Sequence, residues 1–196
     1  MGNWAQREML SQRRDFKKRL QCLRYFIQIV QILQKGGDFS GAYAIFSALT
    51  SIPVSRLKRY FAELSKQEHL VLKRSRELFS VTGNYPKLRA TMKHFLAKAC
   101  VPHIGLFTRD LTMLAEQNST KMVEDVKYIN FGKCETLDKQ IKHLKMYQNN
   151  INKFEFKLNE SLMIYVETEL NAPPKTENEL WKISIAVEPK ASSANK

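Results

Sequence analysis

The segment Asp15-FKKRLQCLRYFIQIVQIL-Gln34 predicts a long buried helix and decides the fold class. Its apolar residues recur every three or four positions and form two adjacent stripes. The first stripe is Phe16, Leu20, Leu23, Ile27 and Val30, and the second is Cys22, Phe26, Ile29 and Leu33. Two adjacent stripes are typical of a helix buried over a wide face, unlike a narrow coiled-coil seam. The following pair, Gly36 and Gly37, is expected to end this helix.

Outward from this segment, apolar spacing and capping patterns predict further helices. Ser65 with Glu68, and Thr176 with Glu179, are capping-box pairs that mark helix starts. The expected helices run from Asp38 or Ser40 to Thr50, Val54 to Leu64, Ser65 to Phe79, Asn84 to Ala99, Thr108 to Glu116, Phe131 to Tyr147, Asn159 to Leu170, and Thr176 past Ile185. No repeats, strand pairs or interdomain linker are expected. We therefore predict one all-α domain of nine or ten helices over residues 1–190, with a disordered tail at 191–196.

Composition bounds the class of protein. The 196 residues are 43% hydrophobic, which is typical of a globular domain with a sizeable core. No apolar run approaches the ~20 residues of a membrane span. The three cysteines are widely spaced in apolar settings, so we expect buried free thiols and a cytoplasmic location. The four histidines lie apart, and no zinc spacing, P-loop or nucleophile motif occurs, so neither a metal, a cofactor nor covalent catalysis is predicted.

The formal net charge of +13 favours an anionic partner. An acidic protein, an anionic membrane surface and nucleic acid all fit such a balance. Most basic residues are spread along polar helix faces, with the densest cluster between Arg13 and Arg19. Aromatic residues do not interleave with arginine in an RNA-binding pattern, so nucleic acid is not expected as a partner. Recruitment to an anionic membrane surface stays open.

The predicted helix Thr108–Glu116 has two distinct faces. Phe107, Leu111 and Leu114 can pack on the rest of the domain, whereas Thr108, Thr112 and Glu116 share another face. A turn at residues 117–120 sends the chain back, so a carboxylate lies at the tip of a hairpin in a basic protein. The pattern fits an ordinary hairpin with a solvated polar face. It also fits a tip that enters a phosphate site on another protein.

Seven segments, in order and over nearly the whole chain, resemble the catalytic domain of Ras-type guanine-nucleotide exchange factors. They are Asp38-FSGAYAIFSALTSIPVSRL-Lys58, Asn84-YPKL-Arg89, Cys100-VPHIGLFTRDL-Thr112, Ala115-EQ-Asn118, Ile129-NFG-Lys133, Met146-Y-Gln148 and Val187-EP-Lys190. The resemblance implies an all-helical domain whose protruding helical hairpin wedges between the switch regions of a Ras-family small GTPase. It implies exchange without covalent chemistry.

The resemblance also implies roles for individual residues. Thr112 takes the position that crowds the GTPase's magnesium site, Glu116 the position near the nucleotide's α-phosphate, and Asn118 the position that holds the turn. The implied GTPase-binding residues are Tyr43, Ser47, Thr50, Arg56, His103 and Thr108.

The chain departs from the family pattern at several positions. The family domain normally begins upstream of the position that Met1 matches, so an N-terminally incomplete domain is expected. Ala115 stands where the tip usually has a glutamate, Gln117 where it has a glycine, and His103 where an aromatic residue is usual. Two alternative hypotheses stay open: an inactive adaptor that binds a GTPase or signalling partner, and a basic helical module for anionic membrane or nucleic acid.

Overall fold

The computed structural model describes residues 1–11, 15–117, 120–124, 126–155 and 157–189. This part of the chain contains eleven α-helices and one two-stranded ribbon, so the predicted all-α class is confirmed with more helices than the nine or ten expected. The helices are α1 (Gly2–Leu10), α2 (Phe16–Gly36), α3 (Phe39–Thr50), α4 (Ile52–Ser55), α5 (Lys58–Ala62), α6 (Lys66–Leu78), α7 (Pro86–Lys93), α8 (Ile104–Ala115), α9 (Phe131–Asn150), α10 (Glu160–Asn171) and α11 (Glu177–Val187). The predicted tail at 191–196 lies outside the described residues.

Helix α2 forms as its sequence predicts. The Asp15 carboxylate caps its start by accepting the Lys18 backbone N–H at 2.8 Å. Gly37 ends the helix in the left-handed conformation with φ 85°, which glycine adopts without steric cost. A Cβ at this position would lie 2.8 Å from both the Ala99 carbonyl oxygen and the Phe95 ring, so this glycine also permits close packing.

The core is built where α2 and α3 pack together, with α1 on α3 and α6 on α2. Helix α11 packs on α1 and α4 and closes this assembly. Fully buried side chains come from each of these regions, among them Met9, Ile27, Phe39, Leu49 and Val54. Burying such a side chain contributes roughly 1.5–3 kcal/mol. Helix α1 was not expected from the sequence, yet Ala5, Met9 and Leu10 make it part of the core.

Two helices differ from the bounds that the sequence predicts. The expected helix from Val54 to Leu64 is two short helices, α4 and α5, separated by Arg56 and Leu57. Helix α7 ends at Lys93 and not at Ala99. A series of turns follows it, in which the Phe95 N–H donates to the Met92 carbonyl at 3.0 Å. These turns let the Phe95 ring meet the Phe39 ring edge-on at 5.3 Å. Tertiary packing therefore overrides helix propensity here.

The connection between α8 and α9 contains a two-stranded antiparallel ribbon, β1 (Thr120–Val123) and β2 (Val126–Ile129). The expectation of no strand pairs was wrong. Each strand has four residues, so the alternation is too short to separate a strand from a loop in the sequence. The pairing places Thr120 opposite Ile129 and Val123 opposite Val126. We refer to residues 104–150, which comprise α8, the ribbon and α9, as the helical hairpin.

The cysteine prediction holds in part. The structure buries Cys22 and Cys100 as free thiols, whereas Cys134 is exposed. Cys134 lies near the start of α9, where neighbouring apolar side chains such as Leu137 are also exposed, so no core covers it. None of the described helices has the length and apolarity that crossing a membrane requires. Among the described residues, no group of His, Cys, Asp or Glu side chains could hold a metal ion.

Candidate functional site

One face of α3 presents Tyr43, Ser47 and Thr50, which follow spacings of four and three. Ser47 and Thr50 are exposed, and Tyr43 is half-buried. The Ser47 hydroxyl donates to the Ala44 carbonyl at 2.8 Å, and the Thr50 hydroxyl to the Phe46 carbonyl at 2.9 Å. Both hydroxyl oxygens keep acceptor capacity toward solvent. The face is therefore polar, accessible and held on a rigid core helix.

Tyr43 belongs to an aromatic cluster that joins α3 to the start of α8. Its ring centroid lies 4.3 Å from that of His103 and 5.3 Å from that of Phe79. Tyr85, at φ 58°, has its ring centroid 6.2 Å from that of His103. Burial raises the pKa of Tyr43 and lowers the pKa of His103 below 6.5, so both side chains are neutral at pH 7. The structure thus brings the predicted residues Tyr43 and His103 into direct contact.

The polar stripe predicted on α8 is present. Thr108, Thr112 and Glu116 are all exposed. Each threonine hydroxyl donates to the carbonyl four residues earlier at 2.9 Å, to Ile104 and Thr108 respectively. The Glu116 carboxylate makes no hydrogen bond or ion pair with any described side chain. The stripe begins five residues after His103, which contacts Tyr43 of the α3 face. Asn118 lies outside the described residues.

A forked ion pair holds α8 against α7. Both guanidinium nitrogens Nη1 and Nη2 of Arg89 donate to the Asp110 carboxylate at 2.7 Å. The Arg89 Nε donates to the Asn84 carbonyl at 2.8 Å, which orients the fork. The Asp110 side chain is only 14% exposed, so this pair is partly shielded from water. Sequence reasoning missed it, because the partners are 21 residues apart and neither follows a local pattern.

Arg56 occupies a different environment from the other predicted residues. Its Nη1 donates to the Ser184 carbonyl at 2.8 Å and to the Ser184 hydroxyl oxygen at 3.1 Å. Its guanidinium lies 5.3 Å from the centre of the Trp181 ring. The buried Ser184 hydroxyl in turn donates to the Pro53 carbonyl. Arg56 therefore connects α4 to α11, and its predicted GTPase contact stays a prediction.

The arrangement favours recognition of a protein surface over covalent chemistry. The exposed polar groups of the α3 face and the α8 stripe are four hydroxyls and one carboxylate, on Ser47, Thr50, Thr108, Thr112 and Glu116. Because each hydroxyl already donates to a backbone carbonyl, these groups offer hydrogen-bond acceptors to a partner, and Glu116 adds negative charge. Recruitment to an anionic membrane surface, which the sequence leaves open, would involve other, basic side chains and is not tested by this arrangement.

Comparison with known proteins identifies the domain type. The family model described as RasGEF domain matches residues 1–135, which include α1 to α8, the ribbon and the start of α9. The match covers the aromatic cluster, the α3 face and the α8 stripe. The resemblance that the sequence motifs carried is therefore confirmed.

Named relatives agree with this match. Ras guanine nucleotide exchange factor P of Dictyostelium discoideum is 29% identical over 98% of this chain and 12% of its own length. Cell division control protein 25 of Candida albicans is 32% identical over 64% of this chain and 9% of its own length. The protein of the same name in Saccharomyces cerevisiae is 27% identical over 91% of this chain and 11% of its own length. The chain thus spans only a small part of these relatives.

Proposed function

This chain belongs to the RasGEF domain family, and we propose that it accelerates the release of GDP from a Ras-family small GTPase. The proposal assigns the tip of α8 to the nucleotide site of the GTPase and the α3 face to a switch region. The observation that carries it is the exposed stripe Thr108, Thr112 and Glu116, which ends in a carboxylate without a bonding partner among the described residues.

The proposed mechanism is a linkage between two binding equilibria. Exchange factor and nucleotide each weaken the other's binding to the GTPase by the same factor. A nucleotide held at picomolar affinity corresponds to about −16 kcal/mol. A large interface with the nucleotide-free GTPase must offset much of that free energy. We assign that interface to the α3 face and the α8 stripe, because both expose polar side chains.

Glu116 suits this role for electrostatic reasons. The Coulomb repulsion between a carboxylate and a phosphate charge ~4 Å away is about 4 kcal/mol at a surface-like dielectric. The same carboxylate can accept hydrogen bonds from the groups that the phosphate and magnesium leave behind. Because Glu116 is exposed at the end of α8, it loses no internal hydrogen bond on entering such a site.

Thr112 lies one turn before Glu116 on the same face. Its hydroxyl is already bonded to the Thr108 carbonyl, so the outward part of the side chain is mainly its methyl group. We assign it to the magnesium side of the site, where a non-ligating side chain excludes the ion sterically. No covalent step is involved, because the products differ from the reactants only in which molecules are bound.

A fluorescent-nucleotide release assay over a panel of Ras, Rap, Ral and Rho-like GTPases tests the proposal. We expect faster release for at least one Ras-family member, and at least a tenfold smaller acceleration with Glu116→Ala, since charge-assisted contacts of this kind contribute 1.5–3 kcal/mol. Glu63→Ala, an exposed glutamate at the end of α5, is the matched control and is expected to match the wild type.

Two outcomes contradict this assignment at different levels. If folded protein accelerates release from no GTPase of the panel, the exchange function is wrong. Stable binding of a nucleotide-free GTPase without acceleration would then favour the inactive adaptor, in line with Ala115 and Gln117 at the tip. If release is accelerated but Glu116→Ala leaves the rate unchanged, only the role of Glu116 is wrong. Circular dichroism of each variant shows whether the domain stays folded.

A further inference from the structure

Lys133 joins the two ends of the hairpin connection. Its ammonium Nζ donates to the Gln117 carbonyl at 2.7 Å and lies 3.4 Å from the Ala115 carbonyl. Ala115 is the last residue of α8, whereas Lys133 lies in the first turn of α9. One side chain therefore bridges the C-terminal end of the first hairpin helix and the N-terminal end of the second.

The charges at these helix ends show why the bridge is favourable for α8. The last carbonyls of a helix lack intrahelical partners and carry partial negative charge. Helix α8 has no basic residue in its own last turn. The Lys133 ammonium supplies this missing positive charge from another element.

The position of Lys133 is unfavourable for its own helix. Asn130 is the N-cap of α9 and accepts the Lys133 backbone N–H at 3.3 Å, so Lys133 lies three residues inside the helix. A cation there opposes the α9 dipole, and the first turn has no acidic residue to compensate. A residue that breaks a local rule in this way points to a gain elsewhere. The compensating contacts are those of the Lys133 ammonium with the Ala115 carbonyl at the end of α8 and the Gln117 carbonyl just after it.

Other contacts of the hairpin lie far from its tip. The Tyr147 hydroxyl donates to the Met92 carbonyl at 3.0 Å, and the Asn150 amide donates to the Leu96 carbonyl at 2.8 Å. Both residues lie at the C-terminal end of α9, and Tyr147 is about 21 Å along the helix from Lys133 at 1.5 Å per residue. The forked pair of Arg89 and Asp110 holds the middle of α8.

The ribbon between the helices gives the tip little support. An isolated two-stranded ribbon is marginally stable in water. Every described side chain of β2 is exposed, and Ile129 is 75% exposed. Leu114 is the last buried residue of α8, so Glu116 lies beyond the apolar contacts of its helix.

We propose that Lys133 is a positioning residue, which fixes the direction of the α8 tip and thereby the placement of Glu116. This inference rests on the proposed exchange function. Holding a group in its productive geometry before the partner arrives lowers the entropic part of the barrier. Lys133 therefore acts through Glu116 and touches neither nucleotide nor magnesium.

The experiment compares three variants of the full chain. Lys133→Met keeps the aliphatic stem and removes the donors, Lys133→Arg restores a cationic donor, and Lys139→Met is the control on the same helix, where the lysine is exposed. Hydrogen–deuterium exchange reports on the tip directly. With Lys133→Met we expect at least threefold faster exchange at the Glu116 and Gln117 amides, which bond to Thr112 and Leu114, and unchanged protection in α2 and α3.

Nucleotide release gives the second readout. With Lys133→Met we expect about a tenfold lower kcat and a KM within twofold of the wild type, because the docking face on α3 is untouched. Lys133→Arg should restore at least half of the lost rate, and Lys139→Met should match the wild type. In the Lys133→Met background, Glu116→Ala should cost less than it does alone, since a misplaced carboxylate contributes less.

Several results would overturn this inference. Unchanged amide exchange at the tip shows that Lys133 does not hold it. Faster amide exchange with an unchanged release rate shows that tip direction is irrelevant to exchange. A raised KM with unchanged kcat assigns Lys133 to docking and not to positioning. If the wild-type protein accelerates nucleotide release from no GTPase, both the proposed function and the positioning role are wrong. The amide exchange data then still show whether Lys133 orders the tip.

Discussion

The core helices and the helical hairpin are held in place by different forces. In the core, α2 and α3 bury large apolar side chains completely, as at Ile27, Phe39 and Leu49. In the hairpin, apolar side chains such as Ile129 and Phe131 are mostly exposed, at 75% and 69%. Polar bridges hold this region, chiefly the Arg89 fork, the Lys133 ammonium and the Tyr147 hydroxyl. The core is thus stabilised mainly by burial. In the hairpin, burial is confined to a few side chains such as Leu106 and Phe107, and its outer part is held by directional contacts.

This difference agrees with the proposed division of labour. Apolar burial is non-directional and gives a stable support, whereas hydrogen bonds fix the direction of a helix tip. Large contiguous patches of exposed apolar surface are rare on monomeric proteins and mark interaction sites. Helix α10 extends this contrast, because it has no buried residue and exposes Leu162 and Ile164.

The largest expected effect comes from a phenylalanine in each region. Phe39→Ala should lower the free energy of unfolding by about 3–5 kcal/mol, because a fully buried ring leaves a cavity and loses its transfer free energy. Phe131→Ala, at a 69% exposed site, should change it by less than ~0.5 kcal/mol. Urea denaturation followed by circular dichroism measures both. Equal losses would contradict the contrast between core and hairpin.

The next effect concerns the fork between α7 and α8. Arg89→Met should lower the free energy of unfolding by about 2 kcal/mol, since it leaves the shielded Asp110 carboxylate without its two donors. Lys93→Met, at an exposed site on the same helix, is the control. A double-mutant cycle with Asp110→Asn isolates the pairwise term. A coupling energy near zero would show that the fork does not hold α8.

Local sequence patterns predicted much of this fold. The capping boxes at Ser65 and Thr176 predicted two helix starts correctly, because both partners lie within one turn. The apolar stripes likewise predicted α2 to within two residues at each end. The ribbon and α1 were missed, because segments of four and nine residues are too short for a clear periodic signal and depend on tertiary packing.

In the candidate site, too, local patterns predicted some features, whereas others depend on tertiary packing. Periodicity alone placed Thr108, Thr112 and Glu116 on one face of α8, as the structure has them. The contact between Tyr43 and His103 spans 60 positions and depends on how α3 packs near α8. The Lys133 bridge spans 16 positions across a ribbon that was not predicted. Long-range polar pairs leave no local pattern, so the sequence could not supply them.

A smaller effect compares two helix caps. The Ser65 hydroxyl caps α6, which packs on the core helix α2, and the Asn159 amide oxygen caps α10. Ser65→Ala should lower the global free energy of unfolding by about 1 kcal/mol. Asn159→Ala removes a similar local contribution but should mainly speed amide exchange within α10, leaving the global value within ~0.5 kcal/mol. Equal global losses would show that α10 unfolds together with the core.

The smallest effect tests the junction between the two regions, where His103 contacts Tyr43 and Tyr85. Burial lowers the pKa of folded His103 below 6.5, so below about pH 6.5 the unfolded chain binds this proton more readily than the folded one. The free energy of unfolding should therefore be fully retained above pH 6.5 and fall as the pH drops toward the folded pKa. Denaturation at pH 7.5 and 5.5 measures this slope, which His103→Gln should flatten. The exposed His94 gives the control, because His94→Gln should leave the slope unchanged. If His103→Gln keeps the wild-type slope, the pH dependence comes from other groups, and protonation of His103 does not destabilise the junction between the hairpin and the core.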